Sequence, residues 1–321
     1  MKTDFLFFTG INQVSLTKTS VNGERFLDRF HITNDQKKIS QLIGPLRTGV
    51  GSVEYTYLIT KCPALIYSTY REEIDGLDVG SLDMESKIVR DLASVQGLLQ
   101  GLWIVRDHAA YQDRGWLVAT FAGQSVFHTN NWNVRHSTSN GKYDCVSFTL
   151  EQLKIARLLA DGGIQSLSAS GHPTALINTT SRFQRFTYFV EIARSSADVA
   201  MKIAQYCSAL EALVSSSSSE LTHQVAERVA CLLESPGKTR LDRFKKIKDA
   251  YGFRSRAVHG SSFKVKVFDE LRQISTDIDE VCRKIAEMYY LDLDGIRDRL
   301  EGTEEEFNAF FFEKLFFYSG S

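Results

Sequence analysis

The chain has 321 residues, enough for two domains of ordinary size, and its 43% hydrophobic and 24% charged residues are the balance of a globular protein. Only 4 Pro argue against long proline-rich linkers, and a net charge of −1 carries no whole-molecule bias toward nucleic acid or an acidic membrane. Residues 1 to about 148 predict strands with one helix. FLFF near the start, VEYTYLIT at 53–60 and ALIYSTY at 64–70 are β-branched and aromatic runs separated by turn residues. GLWIVRD at 101–107 and GWLVATFAG at 115–123 read as two more strands, joined around AAYQDR. Between them, SLDMESKIVRDLASVQGLLQ at 81–100 has a helical period, with Ile88, Leu92, Val95 and Leu99 on one face and Ser81 or Asp83 as cap. A second helix is predicted at 147–163, ending on a Gly pair. The patternless, Ser-, Thr- and Gly-rich stretch 164–181 marks a boundary. The expected fold class is α+β: a β-rich sensor or regulatory domain over 1–175, then a helical domain over 180–321.

After Arg182 the texture changes to long helices. The first is predicted from about Arg182 to Val214, with a core stripe of Val190, Ala193, Ala197, Ala200, Ala204, Cys207 and Glu211, and 215-SSSSS-219 ends it. A second aligns Leu221, Val225, Arg228 and Leu232. A third, from Lys238 to Tyr251, buries Leu241, Phe244, Ile247 and Tyr251 and turns its cations to solvent. A fourth carries Val267, Leu271, Ile274, Ile278, Val281, Ile285 and Met288, completing a four-helix arrangement. Two charges, Glu211 and Arg228, thereby point inward. Because an unpaired buried charge costs several kcal/mol, each needs a partner, and Glu211 is expected to pair with Arg228 or with Arg254. The tail EEEFNAFFFEKLFFY predicts a short helix folded back, since its aromatics are too many to leave in water.

Charge is uneven along this half. Eight Lys or Arg stand against two Asp between Pro236 and Arg256, and eight acidic residues against three basic from Leu291 to Lys314. The five Cys (Cys62, Cys145, Cys207, Cys231, Cys282) form no CxxC pair, which suits a reducing compartment. The N-terminal MKTDFLFFTG has a four-residue apolar run, too short for a secretory leader, and no run approaches the ~20 residues of a membrane span. A cytoplasmic protein without membrane contact is expected.

Chemistry concentrates in 251-YGFRSRAVHG-260. Arg254 and His259 are five residues apart, roughly 500° of helix or about 140° around the axis, so a straight helix would not put them on one face. Gly252 and Gly260 bracket them, so a turn or distorted segment that aims both into one groove is expected. Imidazole can move a proton at cell pH, and a guanidinium offers a fixed fork of donors to a phosphorane. The alternative is a cationic helix end facing carbonyl dipoles. RNA brings its own 2′-hydroxyl nucleophile, so neither a metal nor a cofactor is called for.

Three blocks in order, 208-SALEAL-213, 220-ELTHQVAERVACLL-233 and 251-YGFRSRAVHG-260, make the region from about Arg182 to Tyr290 resemble the Apea-like branch of the HEPN superfamily. The resemblance implies that Arg254 and His259 are the Arg-x4-His pair of metal-independent endoribonucleases, and that Ser255 lines the same site. It also implies a homodimer whose two motifs share one cleft, and a layout similar to anti-phage defence proteins, whose β-rich N-terminal region would meet a phage-derived or protein trigger. The competing readings are a non-catalytic HEPN module that binds RNA or protein, and the toxin of a toxin–antitoxin pair. The basic face of the third helix, with Lys245, Lys248 and Arg256, is expected to border the RNA path, and Glu211 to support Arg254. Other constellations are poorer. His128, His136 and Cys145 fit no zinc spacing and read as isolated surface residues; Asp107-His108, expected after a strand, has no nucleophile motif; no GxxxxGK[ST] loop is present; and 183-FQRFTYFVEI-192 has the spacing of a helix core.

Overall fold

A computed structural model of the chain describes residues 2–21, 23–27, 29–74, 83–164, 174–216 and 219–316. The FLFF run lies in β1 (Lys2–Asn12), which pairs antiparallel with β5 (Ala64–Glu73) on one side and β6 (Tyr111–Phe121) on the other. With β3 (Glu24–Phe26), β4 (Phe30–Thr33) and β7 (Gln124–Asn131) the sheet order is β3-β4-β5-β1-β6-β7. The short strands β2 (Val14–Leu16) and β8 (Val146–Phe148) form a separate parallel pair. Both faces of the sheet are covered, which is why β1 is buried without alternation from Phe7 to Ile11. Phe5 and Phe7 pack with the buried face of α4 (Met84–Val105) and with α5 (Leu150–Asp161). Phe8 packs on the other side with α1 (Gln36–Ile43), α2 (Arg47–Val50) and α3 (Ser52–Thr60). A β-rich part followed by a helical part makes the fold α+β.

Two expected strands are helices. VEYTYLIT lies within α3: Leu58 and Cys62, four apart, are buried against Phe8, and the Thr56 and Thr60 hydroxyls donate to the carbonyls of Ser52 (2.7 Å) and Thr56 (2.6 Å). Packing overrides the β preference of its aromatic and branched residues. GLWIVRD is the last turn and a half of α4, where every residue from Leu98 to Ile104 is buried. A helix buried all round shows no amphipathic period, and so reads like a strand. Asp107-His108 therefore follows a helix. Asp83 caps α4 by accepting from the Ser86 N–H (3.1 Å); the alternative cap, Ser81, lies outside the described residues.

The chain divides into two units, Met1–His136 with Tyr143–Gln165 and Ser137–Lys142 with Ser166–Ser321. In the second, the expected Arg182–Val214 helix is two, α6 (Arg182–Ser195) and α7 (Val199–Val214). Ser196 is extended and Asp198 caps α7 through the Met201 N–H (2.9 Å). Ala197 is thus in the break, not on a helical stripe. Lys202, fully buried, donates to the carbonyls of Ala193 (3.0 Å), Arg194 (3.4 Å) and Ser137 (3.3 Å), satisfying the end of α6 and the segment 137–142 together. Next come α8 (Leu221–Leu233), α9 (Lys238–Val258), α10 (Phe268–Tyr290), α11 (Ile296–Glu301) and α12 (Glu304–Phe316). The unit thus has seven α-helices among the described residues, where four and a tail helix were expected: the first expected helix is split in two, and α11 is additional. Leu241 is 51% exposed instead of buried. Arg228 points inward as its stripe predicts, but its partners are the Val214 carbonyl (2.8 Å), Asn308 Oδ1 (2.6 Å) and the rings of Phe307 and Phe311. These interactions fold the aromatic tail helix α12 back onto α8.

Asp91 of α4 is fully buried and bonds the Arg29 guanidinium, which lies 4.6 Å from the Tyr70 ring. Burial pushes its carboxyl up to about 6 despite Arg29 and Arg90. The folded state therefore holds this proton more tightly than the unfolded chain, and Asp91's contribution to stability falls as pH rises from about 4 to about 6. Asp91→Asn should remove that dependence: the difference in unfolding free energy between variant and wild type, measured by denaturant titration, shifts in the variant's favour across this window by at most about 3 kcal/mol and is flat above it.

Candidate functional site

Helix α9 does not stop at Gly252. It runs on to Val258, and His259 is its C-cap, so the expected distorted segment is ordinary helix followed by a sharp end. A mid-helix Gly costs only ~1 kcal/mol. Termination comes from Gly260 at φ +72°, with the Ser261 N–H donating to the Arg256 carbonyl (2.9 Å) and the Gly260 N–H to the Ala257 carbonyl (3.1 Å). This pair of bonds is a Schellman cap, which requires the left-handed residue that Gly supplies.

Because the helix is regular, its faces are distinct. Ile247, Ala250 and Tyr251 are buried and Arg254, one turn on, is half-buried, an inner stripe facing α7. Lys245, Lys248, Gly252, Ser255, Arg256 and His259 are exposed along the opposite side. Arg254 and His259 of one chain thus point to different sides of α9.

On the inner side, Arg254 Nη2 lies 3.3 Å from Glu211 Oε2 of α7. Of the two partners that the sequence allows for Glu211, the structure brings it Arg254 and gives Arg228 others. The side chains are 31% and 17% exposed, so the pair is only partly screened. Burial pushes the Glu211 carboxyl above its usual value and Arg254 opposes the shift. Below them the buried Tyr251 hydroxyl donates to the Cys207 carbonyl (3.3 Å). Glu211 Oε1 and Arg254 Nε are each buried without a hydrogen-bond partner. The Tyr251 hydroxyl also lies against the Glu211 carboxylate and, with Arg254, opposes the upward shift, so the group left over on the guanidinium is its buried Nε.

On the outer side, the Arg256 guanidinium sits 4.5 Å from the Phe263 ring and 5.5 Å from that of Phe253, two rings that stack with each other. This platform escaped sequence reasoning, because Phe263 lies in a loop with no period; its only signal is an aromatic three residues after Gly260. Much of the basic segment is neutralised: Arg243 pairs with Glu234 (2.9 Å), Lys246 with Asp277 (3.2 Å), and Arg240 donates to the carbonyls of Glu234 and Lys314. Lys245 makes no ion pair among the described residues, and Lys248 lies 5.5 Å from the Phe244 ring.

Elsewhere, His128 pairs with Glu85 (2.8 Å), and His136 is buried instead of lying on the surface. Among the described residues, no three His, Cys, Asp or Glu converge on a metal position, and no helix is long and apolar enough to cross a membrane. Phe183, Phe186 and Val190 are buried core. No protein-family model, curated protein or solved structure matches the chain.

The pair makes Glu211 a structural as well as an electrostatic neighbour of Arg254. Glu211→Gln, which keeps shape and removes charge, should lower stability by about 1–3 kcal/mol, between the values for exposed and fully buried pairs. Thermal melts of Glu211→Gln and Arg254→Gln check this. The double variant should be destabilised by less than the sum of the two, since each single change removes the same ion pair.

Proposed function

We propose that this chain is a metal-independent endoribonuclease of the HEPN type, active in the cytoplasm as a homodimer and serving anti-phage defence. His259 takes the proton from the RNA 2′-hydroxyl, which attacks the adjacent phosphorus. Arg254 neutralises charge on the pentacoordinate phosphorane, and the leaving 5′-oxygen regains a proton from the imidazolium. The products are a 2′,3′-cyclic phosphate and a 5′-hydroxyl. The observation that carries the reading is the Arg254–Glu211 pair: a carboxylate on a neighbouring helix holds a guanidinium with a donor unengaged, one turn before an exposed imidazole. Glu211 orients the cation, and Ser255 shares the outer side with His259. Since Arg254 and His259 of one chain face different sides of α9, the catalytic pair is completed across the dimer, each His259 meeting its partner's guanidinium. A phage-derived or protein trigger acts on the β-rich unit.

That same opposition of faces favours a second reading, in which a single chain binds RNA along the outer stripe and does not cut it. Incubation of purified protein with total RNA and EDTA separates the two. Wild type should release fragments ending in 2′,3′-cyclic phosphate, whereas His259→Ala and Arg254→Ala should cut at least about 100-fold more slowly, with the wild-type melting temperature retained in His259→Ala. RNA bound but left whole by wild type supports the binding module.

The outer stripe carries its own expectation. Lys245→Glu with Lys248→Glu should weaken RNA binding and reduce the log–log salt slope by somewhat less than about one unit for each phosphate that is no longer neutralised. Filter binding between low and moderate salt measures it, and an unchanged slope reassigns these lysines to solvated surface.

A further inference from the structure

The β-rich unit contains a hollow that the ribonuclease reading does not use. Strand β1 meets β6 in register at Thr9–Gly115 and again at Ile11–Gln112, so Gly10 alone faces two residues, Asp113 and Arg114. Such a bulge re-aims side chains, and a strand glycine marks close approach. Here a Cβ at residue 10 would lie 2.9 Å from Cys62 Sγ and 3.2 Å from Leu58 Cδ2. The bulge is held by the Trp132 N–H on the Asp113 carbonyl (2.6 Å) and the Thr9 hydroxyl on the Arg114 carbonyl (2.9 Å). Between it and α3 opens a cavity of about 220 Å³, walled by Trp116 and Tyr57. Drug-sized ligands occupy ~300–1,000 Å³, so the occupant is smaller.

Its hydrogen-bonding capacity is already half assigned. The Tyr57 hydroxyl donates to Asn12 Oδ1, and Arg114 Nε donates to Asn131 Oδ1 (3.0 Å). Burial and nearby anionic groups hold the Tyr57 phenol above its usual value, so it stays a neutral donor. With both amide oxygens engaged by the protein, both Asn side chains are left to offer N–H groups. Arg114 directs one arm to Glu54 (2.9 Å), and Asp113 Oδ2 faces Arg135 (3.4 Å). What remains is a set of donors beside an aromatic wall, with the outer carboxylate oxygens of Glu54 and Asp113 as acceptors. Two carboxylates against one guanidinium on the lining disfavour an anion. A flat, uncharged ring bearing carbonyl oxygens and a ring N–H satisfies all of these.

We propose that this hollow binds a carbonyl-bearing nucleobase, of the uracil or guanine kind, as the free base or nucleoside. Adenine, which presents an exocyclic amine where those rings present a carbonyl, is disfavoured. The inference is independent of any nuclease activity.

Isothermal titration of the full chain with uridine, guanosine, adenosine, oligouridylate and tetramethylammonium tests it. Uridine or guanosine should bind saturably with Kd below about 1 mM, as a small ligand with a few hydrogen bonds allows. Adenosine should bind about tenfold more weakly or not at all. Asn12→Asp and Asn131→Asp keep the acceptors for Tyr57 and Arg114 but each removes an amide N–H donor from the lining, and each should weaken binding about tenfold at an unchanged melting temperature. The base preference is read on the unaltered chain, so a variant that fails to fold does not protect the proposal. It is overturned by the absence of saturable binding by either base, by equal affinity for adenosine, or by folded variants that bind as wild type does. Preference for tetramethylammonium would make the hollow a cation site. Oligouridylate binding that is tighter than uridine binding, is competed by uridine and is weakened by Asn12→Asp and Asn131→Asp would make the hollow part of an RNA track, and either result also overturns the proposal.

Discussion

A charge that leaves water must be met by a specific partner, and in this chain those meetings decide which elements pack together. Asp91 draws Arg29, from the turn between β3 and β4, against α4. Lys202 gathers three carbonyls and so joins the end of α6 to the segment 137–142. Asp279 of α10, fully buried, accepts from the Tyr206 hydroxyl of α7 (2.8 Å) and from Arg283 (2.9 Å). Arg228 brings the tail helix onto α8. Apolar surface supplies the driving force for collapse but is indifferent to register. A buried charge is not, because shifting it by one residue strands it in a low dielectric. These pairings therefore specify arrangement more than they add stability.

The pair of Glu211 and Arg254 belongs to the same class and, like Asp91, it keeps a buried polar atom without a hydrogen-bond partner. On the guanidinium that atom is Nε, whereas Asp279 and Arg228 are more fully engaged. The geometry of α9 separates two tasks. Its inner stripe holds the guanidinium by a neighbouring helix, and its outer stripe exposes imidazole, hydroxyl and ammonium groups to whatever approaches. Gly260 sharpens this separation by ending the helix one residue after His259, so that the imidazole lies beside a turn and not beneath another helical layer.

The β-rich unit shows a parallel logic in a sheet. A regular antiparallel pair alternates its side chains and leaves no hollow; one extra residue in β6 opposite Gly10 breaks that alternation and turns Arg114 toward Glu54 of α3. Both Asn side chains next to it are oriented by protein donors before any ligand arrives, so little conformational freedom remains to be given up there on binding.

The amino-acid sequence by itself determined the α+β class, the central strand, and the helices whose period is one-sided. The early turns of α4, α5, α8 and α10 were legible because one stripe is buried and the rest is wet, and the inward charges Glu211 and Arg228 were legible as breaks in such stripes. The tertiary structure decided what periodicity does not encode. VEYTYLIT became helix because Leu58 and Cys62 meet Phe8 across the sheet, and GLWIVRD because α4 enters a core that surrounds it. The break at Ser196 follows from Lys202 closing the end of α6, a bond nine residues along but folded back in space. In the candidate site, residue types and spacing singled out Arg254 and His259 as candidates, but their facing was misread, because Gly252 signals a turn in the sequence and yet lies inside α9. The choice of Arg254 over Arg228 for Glu211 was equally invisible in the chain. Both arginines satisfy the carboxylate's need in principle, and only the packing of α9 against α7 brings one of them within 3.3 Å.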